Sequence, residues 1–444
     1  MVEQMKPSGI YSVGDIPQSW LVSKVKYNTL IPLTDGPHET PVFVDDGIPF
    51  YSVDGIQDDK IVYEPCRYIS IEDANRFDIK VKPRIGDILM GKAASVGKIA
   101  IIDKDIRLQV WSPLAVIRAD ETKVNNRFLR YYLLSSAAQV EIDLKSTSNT
   151  QKNIAMEDIQ NITIIKPKIK EQLLIADFLD TKCGKINGII SDLEKQIDTL
   201  QKYKMSLITE TVTKGLDKSA TMKDSKVSII GKIKANWEIK KLKYIVSTPI
   251  TDGPHETPVL LDDGIPFLSA ESVKNGVLDF DYKRGYISET DHRIFCKKIK
   301  PQKGDIFVVK SGATTGNVGR VTTDEEFSIW SPLALIRCDN KTILQDFIYY
   351  CTLSNYFRQE VELSWSYGTQ QNIGMGVLGN LNIVIPSAAE QAEIVKFLDC
   401  QCGKIDSILK DKQEQLEKIK QHKKSLIYEY VTGKKRVKEA TNGN

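Results

Sequence analysis

Residues 34–50 read TDGPHETPVFVDDGIPF, and residues 251–267 read TDGPHETPVLLDDGIPF. Only two of the 17 positions differ. The same register, about 217–219 residues, holds outward from this pair. Trp20 in GDIPQSWLVSKVKY answers Trp237 in GKIKANWEIKKLKY. KPRIGDILMGKAASVGKI at 82–99 answers KPQKGDIFVVKSGATTGNVG at 300–319, with one inserted residue. Trp111-Ser112-Pro113-Leu114 answers Trp330-Ser331-Pro332-Leu333, and Glu171-Gln172 answers Glu390-Gln391. Collinearity at one fixed period is the mark of a tandem duplication.

Each copy has two parts. The first is mixed: GDILMG, KIAIID and PLAVIRA are short, rich in β-branched residues and bounded by Gly and charged turns, which predicts strands. A helix is predicted over 127–138, with Phe128, Tyr131, Tyr132 and Leu134 inward; its counterpart begins at Phe347. Helical spacing assigns these tyrosines to core packing rather than to base stacking. The second part is a long helix. Ile186, Ile190, Leu193, Ile197, Leu200, Lys204 and Leu207 alternate spacings of four and three, as do Ile405, Leu409, Lys412, Leu416, Ile419, Lys423 and Leu426. That is a coiled-coil seam with polar interruptions.

The linker fixes how the helices run. A helix over 171–213 is roughly 65 Å long, and the polar stretch 214–230 reaches at most about 56–61 Å. Parallel helices would require that stretch to travel back along nearly the whole rod, whereas an antiparallel pair needs no return. The predicted fold is α+β: two homologous mixed globular parts joined by two long antiparallel coiled-coil helices, a dumbbell with a pseudo-two-fold axis. The predicted division is 1–168 and 231–387 for the globular parts, 169–214 and 388–432 for the helices, 215–230 for the linker and 433–444 for a basic tail.

Composition narrows the class. Hydrophobic residues make up 41% and charged residues 27%, enough for sizeable cores. No apolar run approaches the ~18–20 residues a membrane span needs. MVEQMKPSGIYSV is not a signal peptide, and seven scattered cysteines suit a reducing compartment; the expectation is a cytoplasmic protein with no membrane partner. Net charge is +3, so a nucleic-acid partner would need a local basic face.

Catalytic constellations are missing from the sequence. There is no Pro-Pro pair, and hence no Asn/Asp-Pro-Pro-aromatic motif. The 91–99 stretch resembles a phosphate loop, but it has one residue too many between its glycines and Ile99 where Ser or Thr must reach Mg²⁺. Cys400 and Cys402 have no second close pair nearby, and Asp, His and Glu of one short loop do not make a full metal shell.

Three polar loops in each copy are the candidate binding residues. Thr34, Asp35, His38, Glu39 and Thr40, with Thr251, Asp252, His255, Glu256 and Thr257, lie in a proline-stiffened loop offering hydrogen bonds suited to base edges; the alternative is a loop that only caps its own domain. Lys92, Ser95 and Lys98, with Lys310, Ser311, Thr314, Thr315 and Asn317, lie in small, Gly-punctuated turns suited to phosphate, or are plain hairpin turns. Asn149, Thr150, Gln151 and Lys152, with Thr369 and Gln370, carry amides suited to adenine, or are plain connections.

The order of these features, present twice, resembles the specificity subunit of type I restriction–modification systems. They are the Trp-containing entry strand, the Gly-Asp-Ile strand with its following Ser-Gly-Ala-Thr-x-Gly-like loop, Gly-Thr-Gln-x-Asn-Ile, and Pro-x(3–4)-Glu-Gln before a long helix. The resemblance covers nearly the whole chain; copy one departs from it at Ala93-Ala94-Ser95-Val96 and lacks Gly before Thr150. It implies that each globular part is a target recognition domain reading one half of a bipartite double-stranded DNA site. It implies that the helices set the spacing and dock two modification (methyltransferase) subunits, joined by restriction (translocase/endonuclease) subunits. S-adenosylmethionine, ATP and Mg would then act on those partners, with no catalysis and no cofactor in this chain. The competing expectation is a two-headed coiled-coil protein adaptor without DNA binding.

Overall fold

The computed structural model describes residues 4–148, 151–341, 343–367 and 371–437. The backbone forms two compact units: Met1–Glu194 with Glu414–Asn444, and Lys195–Gln413. This division cuts each long helix in two, instead of following the step from globular part to helix.

In the first unit the central antiparallel sheet runs in the order Ile99–Ile101, Ile88–Gly91, Leu114–Ile117, Thr34–Asp35. Ile88–Gly91 and Leu114–Ile117 are buried along their whole length, which is why they read as continuous apolar runs. The Gly-Asp-Ile motif has a partner just past the end of the neighbouring strand. Asp87 is 1% exposed, and Arg118 donates to its two oxygens from Nε at 2.8 Å and Nη2 at 2.7 Å. A buried carboxylate is tolerated only when paired in this way. The second unit repeats the sheet with Val318–Arg320, Ile306–Val309, Leu333–Ile336 and Thr251–Asp252, extended by Gly276–Leu278 and Val273–Lys274. Arg337 holds Asp305 at 2.6 Å on both oxygens.

The helix predicted over 127–138 is two helices, Asn126–Leu134 and Ser136–Lys145. Ser135 between them is extended (φ −68°, ψ 152°), and its hydroxyl accepts from the Ala138 amide. A capping serine ends one helix by starting the next. Tyr131 and Tyr132 are in the core, whereas Leu134 is half-buried. The Tyr131 hydroxyl donates to Asp180 at 2.8 Å and that of Tyr350 to Asp399 at 2.6 Å, tying each globular part to the helix that follows it. The Glu-Gln pairs do the same: buried Gln172 accepts from the Asn125 amide and Gln391 from the Leu344 amide, each at 2.8 Å.

The long helices span Ile169–Lys214 and Ala388–Val431. Every residue of the predicted seam is buried or half-buried, while most flanking positions are exposed. Within each unit the two helical segments run antiparallel. In the first, Phe178 meets Tyr430 with ring centroids 4.5 Å apart and Glu194 pairs with Lys420 at 2.9 Å. In the second, Gln196 meets Lys412 and Lys204 meets Asp406 at 2.6 Å. The seam lysines are thus satisfied: Lys204 by Asp406, Lys412 by Gln196, and Lys423 by Asp59 at 2.9 Å.

Each unit also closes the C-terminal end of one long helix on a buried tryptophan. After Lys214, Gly215 takes φ +76°, and an added Cβ would lie 3.1 Å from the Trp237 ring. After Val431, Gly433 takes φ +75°, and an added Cβ would lie 2.4 Å from Pro17 and 3.3 Å from Trp20. Glycine tolerates the left-handed turn and leaves room for the ring. The segment read as a polar linker, 215–230, contains a strand. Met222–Asp224 pairs antiparallel with Lys232–Lys234, as Met5–Pro7 pairs with Asp15–Pro17. It is the second copy's entry hairpin, and the predicted boundary at 230/231 falls inside it. Among the described residues no helix is long and apolar enough to cross a membrane.

Candidate nucleic-acid interface

The three polar loops meet in each unit around the segment Trp-Ser-Pro. In the first unit the Ser112 amide donates to the Pro37 carbonyl at 3.1 Å and the Lys92 amide to Pro113 at 2.8 Å. The Ile154 amide reaches the Lys92 carbonyl at 2.9 Å and the Ala94 amide reaches Lys152 at 3.1 Å. In the second, Ser331 binds Pro254 at 3.1 Å, Lys310 binds Pro332 at 2.8 Å, Ile373 binds Lys310 at 2.8 Å and Gly312 binds Gln371 at 3.1 Å. The Asp-Gly of the first loop fits only because its glycine lacks a side chain. A Cβ on Gly36 would lie 2.1 Å from the Val110 carbonyl oxygen, and one on Gly253 would lie 2.5 Å from the Trp330 backbone.

A buried carboxylate organises this junction. Asp35 Oδ1 receives Lys80 Nζ at 2.6 Å; Asp35 Oδ2 receives Lys92 Nζ at 2.5 Å and faces His38 Nε2 at 3.3 Å. Lys80 also donates to the Gly36 carbonyl at 2.8 Å. Asp252 repeats the arrangement with Lys298 at 2.7 Å, Lys310 at 2.8 Å and His255 at 3.1 Å. Two ammonium groups on one carboxylate leave a local excess of one positive charge before either histidine is protonated.

Burial works against ionisation of Asp35, but the hydrogen bonds and charges of Lys80 and Lys92 outweigh it and hold the carboxyl below its ordinary value. Lys298 and Lys310 do the same for Asp252. A carboxyl depressed on folding contributes stability that is fully present above its unfolded value near 3.8 and is lost as pH falls below it. Asp35→Asn with Asp252→Asn is therefore expected to be less stable than the parent at neutral pH, with the gap closing as pH falls through and below the ordinary carboxyl value of 3.8. Urea denaturation at a series of pH values measures this; a gap independent of pH would detach these carboxylates from the lysines.

The remaining candidates divide by exposure. His38, Glu39, Thr40 and Gln151 in the first unit are exposed, as are His255, Glu256, Thr257, Thr314 and Asn317 in the second. Glu39 pairs with Arg76 at 3.3 Å. Thr34, Thr251, Ser95 and Ser311 are half-buried. Lys98 turns inward, its ammonium on the Ile56 carbonyl at 3.0 Å, and Lys152 pairs with Asp143 at 2.5 Å. Thr315 is buried and donates to the Gly312 carbonyl at 2.7 Å, so it braces its loop. Asn149, Thr150, Thr369 and Gln370 lie outside the described residues. The copies also differ beside the Trp-Ser-Pro segment. Arg284 lies over the Trp330 ring at 4.2 Å; in the first unit Arg67, whose ladder position opposite Phe50 is taken in the second unit by Gly285 opposite Phe267, lies over Phe43 at 5.4 Å.

Sequence reading missed Lys80 and Lys298, and used Trp-Ser-Pro only as a marker of the repeat. A signal was there. Lys80 and Lys298 share the repeat register, each three residues after a buried phenylalanine, Phe77 or Phe295. Among the described residues, no three His, Cys, Asp or Glu side chains are grouped to share a metal ion.

The putative type I restriction enzyme MjaX specificity subunit of Methanocaldococcus jannaschii is 26% identical over 436 residues, 96% of either chain. The type I restriction enzyme EcoBI specificity subunit of Escherichia coli is 24% identical over 346 residues, 75% of this chain and 72% of that one. A solved chain from work on complex assembly and conformational transition of the type I R-M system aligns with a TM-score of 0.61 at 15% identity, over 94% of this chain and 99% of that one, a likeness of fold. A family model for the type I restriction modification DNA specificity domain matches residues 43–199 and 234–418. With one matched region in each copy and most of its length covered, the chain belongs to the type I restriction modification DNA specificity domain family.

Proposed function

We propose that this chain is the non-catalytic DNA-reading subunit of a type I restriction–modification complex, each globular part reading one half of a bipartite double-stranded site. The observation that carries this reading is the recurrence in both units of one three-loop junction with a local positive excess and exposed hydrogen-bonding side chains. Two methyltransferase subunits dock on the long helices, and restriction subunits complete the assembly. Methyl transfer from S-adenosylmethionine and ATP- and Mg²⁺-dependent steps belong to those partners.

Binding of the full-length chain to a random-sequence duplex is expected to weaken steeply as salt rises, because phosphate contacts release counterions. Absence of such binding would favour the protein-adaptor reading. Mapping methylated positions on DNA modified by the assembled complex then gives the two half-sites. His38 and His255 are 70% and 69% exposed at the loop tips. His38→Ala is expected to relax selectivity at one half-site and His255→Ala at the other, by roughly 1–3 kcal/mol at the base concerned. Equal losses on cognate and scrambled duplexes would make these histidines scaffolding.

A further inference from the structure

We propose that the two lysines of each carboxylate cluster have different tasks: Lys80 and Lys298 contact DNA phosphates, while Lys92 and Lys310 are positioning residues that lock the recognition loop. This rests on the reading of the globular parts as DNA-binding.

The inner lysines are committed to the protein. Their side chains are 14% exposed, and each ammonium lies against a carboxylate that is itself about 10% exposed (9% for Asp35, 11% for Asp252). Their backbones are fixed on both sides. The Lys92 amide donates to Pro113 and its carbonyl accepts from Ile154; the Lys310 amide donates to Pro332 and its carbonyl accepts from Ile373. A phosphate that drew either ammonium outward would take the lysine from a buried carboxylate oxygen, Oδ2 of Asp35 or of Asp252, and the lost charge-assisted hydrogen bond makes this unfavourable. The inner ion pair therefore ties the Thr-Asp-Gly-Pro-His loop to the Gly-punctuated turn beside it.

The outer lysines differ. Their side chains are 40% and 39% exposed. Each donates to the aspartate and to the following glycine carbonyl, Lys80 at 2.6 and 2.8 Å and Lys298 at 2.7 and 2.9 Å. An ammonium has three donors, so one remains for a third acceptor. With one lysine charge per cluster balanced by the carboxylate, the surplus charge is on the more exposed side, on Oδ1 of the aspartate whose Oδ2 faces the exposed histidine. Phosphate contacts fix register without reading sequence, and this group sits where it would set the register of the histidine loop. The same geometry in both units makes one such contact in each.

The test uses the full-length chain and a random-sequence duplex, with affinity measured across a salt series. Lys80→Met with Lys298→Met is expected to flatten the log–log salt slope by about 2. Affinity at a fixed salt should fall about ten-fold per lysine. Lys80→Arg with Lys298→Arg should restore the slope. The inner pairs are removed without changing net charge by Asp35→Asn, Lys92→Met, Asp252→Asn and Lys310→Met together. That protein should melt lower yet keep the parental slope. An unchanged slope in the outer variant overturns the division of tasks, even if the inner variant fails to fold. A flattened slope in a folded inner variant overturns it as well. A parent chain that binds no duplex at any salt overturns the DNA reading itself, which is a separate and recognisable result.

Discussion

Trp237→Ala is expected to destabilise the second unit by about 3–5 kcal/mol, the range for removing a fully buried large aromatic side chain. The ring is 1% exposed and packs beneath Gly215, where the first long helix ends. Its Nε1 donates to Glu390 Oε2 at 3.1 Å, and Lys234 holds the other carboxylate oxygen at 2.6 Å. Alanine would open a cavity, remove a hydrogen bond and free the helix end. Trp20 makes the same packing contact with Gly433, but its Nε1 has no partner among the described residues. The counterpart of Glu390 there is Glu171, which pairs with Arg436 at 2.6 Å. Phenylalanine should therefore be tolerated better at 20 than at 237, since only at 237 does it break a hydrogen bond. Denaturant unfolding of the two phenylalanine variants measures this contrast. Equal losses would assign all the stabilisation to the ring and none to Glu390.

A fragment of residues 1–220 is expected to form a two-fold dimer. In the first unit, Ile427 and Val431 fill the core and Gly433 turns over Trp20. In the second, Ile208 and Val212 fill the matching positions and Gly215 turns over Trp237. The fragment keeps Trp20 and its surrounding core but loses residues 427–433, while it retains Ile208, Val212 and Gly215 with nothing to pack on. Two copies satisfy each other if the helix end of one occupies the Trp20 site of its twin. The matching seam phases then allow the helices to pair antiparallel, an isologous arrangement. Such a dimer presents the first recognition surface twice. With methyltransferase subunits it is expected to modify an interrupted palindrome, as two-fold proteins read two-fold sites. Light scattering should give twice the fragment mass, and a monomer that binds no DNA would remove this symmetry.

What the sequence disclosed was whatever is local or periodic. Two 17-residue stretches differing at two positions exposed the duplication, and the four–three spacing from Ile186 to Leu207 exposed the seam. Tyr131 and Tyr132 were legible as core because helical spacing puts them on one face with Phe128. What stayed hidden depends on distant residues. Lys80 and Asp35 are 45 positions apart and meet only once the short helix Ile71–Phe77 has been packed by Phe77. Lys92 looked like a phosphate ligand because nothing in KAASVGK reveals that a buried carboxylate already holds it. The strand Met222–Asp224 escaped because MKDSKVSIIGKI is polar and too short for a period to emerge; its likeness to MKPSGIYSVGDI was the available signal.

The two units also differ in how the ribosome delivers them. The core of the second unit runs from Ile208 to Cys402 and belongs to one uninterrupted stretch of chain. The core of the first includes Ile427 and Val431, with Leu426, Tyr428, Tyr430 and Val437 packed against it. At about 5–20 residues per second, the interval between emergence of residue 194 and residue 414 is on the order of 10–40 s. For that time the first globular part carries an unfilled apolar site around Trp20. The half that is synthesised first is thus the half completed last, and until then its open site can accept the helix end of another nascent chain.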